Sequence, residues 1–229
     1  MMNAERIQEM KENPKAPYYI VYEDKDIIVA YKKRDVFTIP TTDKKTFIYN
    51  LFYYLRVYAK KQNENVFLVH RLDYETSGLI VFAKSEAVQA ELKAAFEERT
   101  ALRYYEAVVK ELVPSGKHFD VDQYLEEKGY GVIVSAEATG KEAITHVTAK
   151  NAIQIGTALQ IQIETGRKNQ IRMAIHSIGL TLLGDKRYSQ NEAKRMYLNA
   201  YKLVFPKEIG LAQNAFEVEP LWLLPENAD

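Results

Sequence analysis

"HRLDYETSGLIVFAKS", residues 70–85, sets a polar turn directly against a run of apolar residues. The run "GLIVFAK" (78–84) is short and almost wholly apolar, so it reads as a strand inside a sheet. "VFLV" (66–69) is a second apolar strand that leads straight into His70. Beyond the run, Ser85 caps a helix in which Val88, Leu92, Ala95 and Phe96 share one face. The polar turn between the two strands carries Asp73 and Arg71. A carboxylate at such a junction can be a site residue, or it can cap the turn by bonding backbone N–H groups near Thr76.

Further elements follow on either side. "YYIVYED" (18–24) and "DIIVAYK" (26–32) read as short strands parted by Asp24 and Lys25. "TTDKKTFIYNLFYYLRVYAKK" (41–61) reads as one helix, capped by Thr42 or Asp43, with Phe47, Leu51, Tyr54 and Tyr58 at helical spacing. "RYYEAVVK" (103–110) alternates as a strand, and 111–142 is acidic and turn-rich, with short strand-like pieces at most. "AITHVTAKN" (143–151) and "TALQIQIE" (157–164) read as paired strands. "KNQIRMAIHSIG" (168–179) is helical, with Ile171, Ala174, Ile175 and Ile178 inside. "YLNAYKLVF" (197–205) and "AFEVE" (215–219) are the last strands. Many strands and few long helices define an α+β class with a mixed, largely antiparallel sheet and flanking helices. A polar leader over 1–16 and a single domain over 17–229 are expected.

The chain has 229 residues and 47% hydrophobic content, enough for a sizeable core. Lys+Arg and Asp+Glu are 31 each, so overall charge points to no polyanion. The distribution is uneven. Residues 111–164 hold four Lys against eight Asp/Glu, whereas 165–205 hold eight Lys/Arg against two Asp/Glu. That basic segment points towards phosphate. Cysteine is absent, which excludes disulfides, thiolate catalysis and Cys-type zinc sites. His70, His118, His146 and His176 lack metal-ligand spacing, and no glycine-rich phosphate loop is present. Without a signal peptide or a membrane-length apolar run, a soluble cytoplasmic protein is expected.

Three residues stand out for chemistry. Asp73 is the first, and Glu75 beside it raises a glycosidase-like carboxylate pair, although two positions in one turn fit a solvated Glu75 equally. On the 168–179 helix, Asn169, Arg172 and His176 fall on one face, so Arg172 sits at the edge of a buried helix. An arginine meeting Asp73 would keep that carboxylate charged and oriented; an ordinary surface arginine is the alternative. Tyr105 shares a strand face with Arg103, Ala107 and Val109, either as core or as a platform for a nucleobase.

Together these segments resemble the RluA-type family of pseudouridine synthases, from about residue 20 to about 206. The centre of the likeness is the His-Arg-Leu-Asp, two residues, Thr-Ser-Gly run at 70–78. "RYYEAVV" is similar to the family's basic-x-Tyr-x-Ala-x-Val strand, and "GKEAITHV" to its Gly-Lys-x-Ala-x-Thr strand. "TGRKNQIRMAIHSIGLTLLGDKRY" resembles the segment running from Gly-Arg through Gln-Ile-Arg to Gly-Asp-x-x-Tyr. Lys33 and Asp35 stand where the family has proline and glycine, so the turn there is expected to be reshaped. Asn169, Ala174 and Asn199 replace histidines.

The resemblance implies a pseudouridine synthase fold and a uridine-to-pseudouridine isomerase acting on transfer RNA or a ribosomal RNA stem-loop. Asp73 would be the essential carboxylate, Tyr105 would stack on the base and assist proton removal, and Arg172 would pair with Asp73. Arg71 would enter the RNA where the target nucleotide has swung out, with His70, Thr76, Arg103, Asn169 and Gln170 also at substrate-binding positions. Arg167, Lys168, Lys186 and Arg187, with Lys194 and Arg195 nearby, would meet phosphates. Isomerisation oxidises nothing and transfers no group to a second molecule, so no cofactor and no metal are expected. The family's S4-type RNA-binding domain is not expected ahead of residue 17, and a monomer is the default. The rival reading is an RNA-binding or RNA-folding protein on the same scaffold.

Overall fold

The structure, a computed structural model, describes residues 16–219 apart from 130 and 192, so the expected leader lies outside it but for Ala16. The chain divides into two compact units. One joins the residues up to Ala101 with those from Asn199 onward, and the other is Leu102–Leu198.

In the first unit, β1 (Tyr18–Glu23) and β2 (Ile27–Lys32) form a hairpin. Asp24 Oδ1 fixes its turn by accepting from the amides of Asp26 and Ile27 at 2.8 and 2.9 Å. The two-residue β3 (Phe67–Leu68) and β2 both pair antiparallel with β4 (Ser77–Ala83). Every residue of β2 and β4 is buried, which is why 27–31 and 78–83 read as continuous apolar runs rather than alternating ones. Helices cover the two faces. Ile27, Val29, Leu79 and Val81 gather with Leu92 and Ala95 of α2 (Glu86–Glu97), while Phe82 stacks on Phe52 of α1 (Leu51–Lys60) at 6.3 Å. Burying one such phenyl ring stabilises the fold by about 1.5–3 kcal/mol.

Strand β10 (Leu198–Val204) runs parallel to β4 through Asn199↔Ser77 and Ala200↔Gly78, and β11 (Ala215–Glu217) pairs antiparallel with β10. Gly78 has φ +121, and a Cβ there would lie 2.3 Å from the Ala200 carbonyl oxygen. The glycine that closes the Thr-Ser-Gly run is therefore required by a neighbouring backbone.

The second unit contains β5 (Leu102–Val109), β6 (His118–Lys128), β7 (Gly131–Ser135), β8 (Lys141–Ile153) and β9 (Gly156–Ile163). They lie antiparallel in the order β5-β9-β8-β6-β7. Met173 of α3 (Gln170–Ser177) packs on one face against Leu125, Val132 and Ala143. The class is α+β with mixed strand pairing, as expected, and the described residues hold three α-helices. No helix among the described residues is long and apolar enough to cross a membrane.

Three local expectations change. The 41–61 segment is not one helix: a 3-10 turn at Lys44–Phe47 precedes α1, whose cap is Asn50 and not Thr42 or Asp43. Asn50 Oδ1 accepts from Tyr53 N at 2.9 Å, and Thr46 turns its hydroxyl onto the Asp43 carbonyl, so side chains compete with helical bonding upstream. Phe47 stays 53% exposed rather than joining the buried face. The acidic 111–142 stretch holds the long strand β6, in which buried Val121, Gln123 and Leu125 alternate with outward polar residues. Acidic composition had masked that two-residue period. On α3, Arg172 is buried and Asn169 stands at the N-cap position without a side-chain capping bond, but His176 is exposed.

Candidate active site

The predicted residues fall into two groups, one in each unit. In the first unit, His70, Arg71, Asp73 and Thr76 lie on the turn between β3 and β4. Asp73 is half-buried and Arg71 exposed. The backbone on both sides of Asp73 is clamped. Thr38 Oγ1 donates to the Leu72 carbonyl at 2.8 Å and accepts from the Leu72 amide at 3.2 Å. The Tyr74 carbonyl accepts from Lys32 Nζ at 3.1 Å and from the Val36 amide at 3.3 Å. Thr76, buried, donates its amide to the Asp73 carbonyl at 3.2 Å, closing the turn. A carboxylate on so constrained a backbone has few orientations open to it.

His70 has a structural bond as well as its place in the motif. Its Nε2 accepts from the Val81 amide at 3.1 Å, and its ring lies against Phe96. Asp35, standing at the family's glycine position, adopts φ 59, so that turn retains a left-handed residue. Aspartate tolerates this conformation better than most residues.

Lys32 and Thr38 escaped the sequence reading. Lys32 is fully buried, and its ammonium also donates to the carbonyls of Lys33 and Val36 at 3.2 and 2.8 Å. Burial pushes its pKa down to about 7, against the opposing pull of Asp73, Asp35 and Glu75. Its only sequence signal was its place directly before Lys33 and Asp35, the positions where the family has proline and glycine.

In the second unit, Tyr105 is buried on β5 opposite Ile161. Arg103, on the same face, donates through Nη2 to the Glu164 carbonyl at 2.7 Å. Arg172 is 3% exposed and forms a two-pronged pair with Asp185, Nε to Oδ2 at 2.8 Å and Nη2 to Oδ1 at 2.7 Å. Its guanidinium lies 5.1 Å from the centre of the Tyr188 ring. Asp185 Oδ1 also accepts from the amides of Arg187 and Tyr188. Burial tends to raise the Asp185 pKa, but the Arg172 guanidinium and these amides outweigh it and hold the carboxyl below its ordinary range. Asp185 was visible only as the aspartate of the Gly-Asp-x-x-Tyr run.

Both polar atoms of Gln170 and the Oδ1 of Asn169 are engaged by protein. Asn169 adopts φ 52, and its Oδ1 accepts from Tyr188 Oη at 2.9 Å. Gln170 Oε1 accepts from Thr165 and the Arg167 amide, and its Nε2 donates to the Ile144 carbonyl and Thr145 Oγ1. Both act as pins between α3 and its surroundings. Arg167 donates to the Glu142 carbonyl, Lys168 pairs with Glu127 at 2.9 Å, and Lys186 and Arg187 are exposed.

The RNA pseudouridylate synthase family matches residues 26–177, a span that includes Asp73, Tyr105 and Arg172. The chain belongs to that family. It is 34% identical to the ribosomal large subunit pseudouridine synthase D of Vibrio cholerae over 176 residues, which is 75% of this chain and 53% of that protein. To the protein of the same name in Escherichia coli (strain K12) it is 32% identical over 192 residues, 82% of this chain and 57% of that one. The chain spans about half the length of these relatives. Among solved structures, human RNA pseudouridylate synthase domain containing 4 superposes with TM-score 0.69 at 18% identity, covering 98% of this chain and 95% of that one. Human RNA pseudouridylate synthase domain containing 1 gives 0.67 at 20% identity, covering 89% and 83%. At those identities the likeness concerns the fold.

Proposed function

We propose that this chain isomerises uridine to pseudouridine in RNA, with Asp73 as its essential carboxylate. One observation carries the reading: Asp73 sits half-buried on a turn whose backbone is clamped on one side by Thr38 and on the other by Lys32 and Val36. An aspartate that merely closed a turn would need no such support. The family match across Asp73 supports the same conclusion. The names of the relatives favour large-subunit ribosomal RNA over transfer RNA as substrate.

The reaction breaks the N1–C1′ bond, turns the base and joins C5 to C1′; the C5 proton leaves and N1 gains one. Asp73 acts at the nucleotide, and Tyr105 provides an aromatic floor for the base and assists removal of the proton. Arg71, exposed beside Asp73, fills the space left by the flipped nucleotide. Flipping costs a few kcal/mol, and less in a loop than in a duplex. Exposed Lys186 and Arg187 meet phosphates. The protein works in the cytoplasm as a monomer and needs no cofactor.

The test is a pseudouridine map of total RNA, by carbodiimide-dependent primer-extension stops, from cells with and without the protein. Stops that disappear on deletion should return with wild type and with Glu75→Gln but not with Asp73→Asn. An unchanged map, with the protein still bound to RNA, would replace this proposal by the RNA-binding reading. Stops confined to transfer RNA would move the substrate.

A further inference from the structure

Strand register in the second unit brings together residues that are remote in sequence. Asp120 of β6 pairs with His146 of β8, and His118 pairs with Thr148. All four project to the same side of the sheet, because cross-strand partners share a face and alternate residues repeat it. Tyr105 pairs with Ile161 and Ile161 with Val147, the immediate neighbour of His146, so this polar group lies on the face opposite Tyr105.

On that face two imidazoles converge on one carboxylate oxygen. His118 Nε2 lies 3.0 Å from Asp120 Oδ1, and His146 Nδ1 lies 2.6 Å from the same atom. One ligand atom from each of the three residues falls within 4.8 Å of the others. The far nitrogen of each ring is also held: His146 Nε2 lies 2.9 Å from Glu164 Oε1, and His118 Nδ1 lies 2.9 Å from Thr148 Oγ1. The two rings are nearly parallel, with 10° between their planes.

We propose that His118, Asp120 and His146 bind one divalent transition-metal ion of the zinc class, with Glu164 and Thr148 orienting the two imidazoles. The donor set decides the class. Two imidazoles and a carboxylate suit zinc, cobalt, nickel or copper, whereas magnesium and calcium prefer all-oxygen surroundings. Ligands around a tetrahedral zinc stand roughly 3.3 Å apart for bonds near 2.0–2.1 Å. The three side chains therefore need adjustments of only about an ångström, and Asp120 and His118, both exposed, have room to make them. Three protein ligands leave the fourth position for water. A carboxylate or hydroxyl behind a ligating histidine fixes its tautomer and ring direction, and both rings here already have such a partner. An exposed acidic cluster alone would justify no such assignment; two histidines oriented from behind onto a shared oxygen do. The site clips β6 to β8 and is independent of the RNA chemistry proposed above.

Isothermal titration with zinc alone, and with cobalt as a spectroscopic probe, tests the assignment. Wild type should bind one ion per chain, raise its melting temperature on adding zinc, and give the visible absorption of four-coordinate cobalt. His118→Gln with His146→Gln should abolish all three signals. Glu164→Gln should keep the ligands but weaken zinc binding by about 10–100-fold. Magnesium should bind nowhere on this face. Metal-free melting of each variant shows whether it folds, and if the double variant does not, the Glu164→Gln titration still decides. Weak zinc binding of indefinite stoichiometry, unchanged in these variants, would overturn the proposal.

Discussion

The ammonium of Lys32 lies 3.1 Å from the carbonyl of Tyr74, the residue that follows Asp73. A fully buried lysine thus supports the turn, and Asp73, Asp35 and Glu75 favour its protonated form against the cost of burial. Its folded pKa of about 7 is below the ordinary 10.5, because burial disfavours the charged form. Between those values the unfolded chain holds the proton and the folded chain does not, so stability rises with pH across that window. The contribution is complete above about 10.5 and is lost as pH falls through about 7. Each unit of the difference corresponds to about 1.4 kcal/mol. Urea unfolding of wild type and Lys32→Met at pH 7 and pH 9.5 checks this: wild type should gain on the variant by a few kcal/mol. A difference that stays flat with pH would show that Lys32 remains charged when folded.

Gly78 makes a sharper structural prediction. Its φ of +121 and the 2.3 Å from a built Cβ to the Ala200 oxygen leave no room for a methyl group unless β4 and β10 separate. Gly78→Ala should cost more than about 4 kcal/mol, beyond the range of most single substitutions. Gly116 also has positive φ, but a Cβ there would meet nothing within 4 Å. Gly116→Ala should therefore show only the backbone cost of about 1 kcal/mol. Thermal melting of the two variants separates close packing from conformation.

The buried Arg172–Asp185 pair sets a third expectation. Removing one partner of such a pair leaves an uncompensated charge, at a cost of about 3–5 kcal/mol. Asp185→Asn should be destabilising by that order at pH 7. Because the folded Asp185 pKa is lowered, the stability it confers is present above the ordinary carboxylate range and is lost as pH falls through the folded value. The gap between wild type and Asp185→Asn should accordingly narrow below pH of about 4. Denaturant unfolding across acid pH measures it, and a gap that widened would mean the pair is not what stabilises α3.

These residues also mark how far the sequence could be read. The strands around Asp73 were legible because 27–31 in β2 and 78–83 in β4 are continuous apolar runs, and α3 because Ile171, Ala174 and Ile175 repeat at helical spacing. What escaped depends on neighbours distant in sequence. Nothing local distinguishes Lys32 from the exposed Lys25 before it; its burial follows from strand pairing and from three carbonyls turned towards it. Thr38 reads as a loop threonine until it is seen clasping Leu72 through both amide and carbonyl. His118 and His146 have no metal-like spacing in sequence and meet only through the β6–β8 register. The long α1 expected from 41 onward failed for a local reason: Thr46 and Asn50 offered the backbone side-chain partners in place of helical ones.

Lys186 and Arg187 follow directly on Asp185, whose Oδ1 accepts the Arg187 amide at 2.9 Å, so their backbone is anchored while their side chains are exposed. Anchored, outward cations contribute to phosphate binding without ordering a loop first. Removing one cation that neutralises a phosphate should flatten the slope of log K against log salt by roughly 0.7–0.9. Lys186→Gln with Arg187→Gln should therefore reduce that slope by about 1.5 and weaken binding to RNAs of different sequence alike. Lys93→Gln, which neutralises an exposed charge on α2, should leave the slope unchanged. Filter binding across a salt series distinguishes the two. If the double variant kept the wild-type slope, the phosphates would have to be met by Arg167 and Lys168 instead, and the same titration on those two residues would show it.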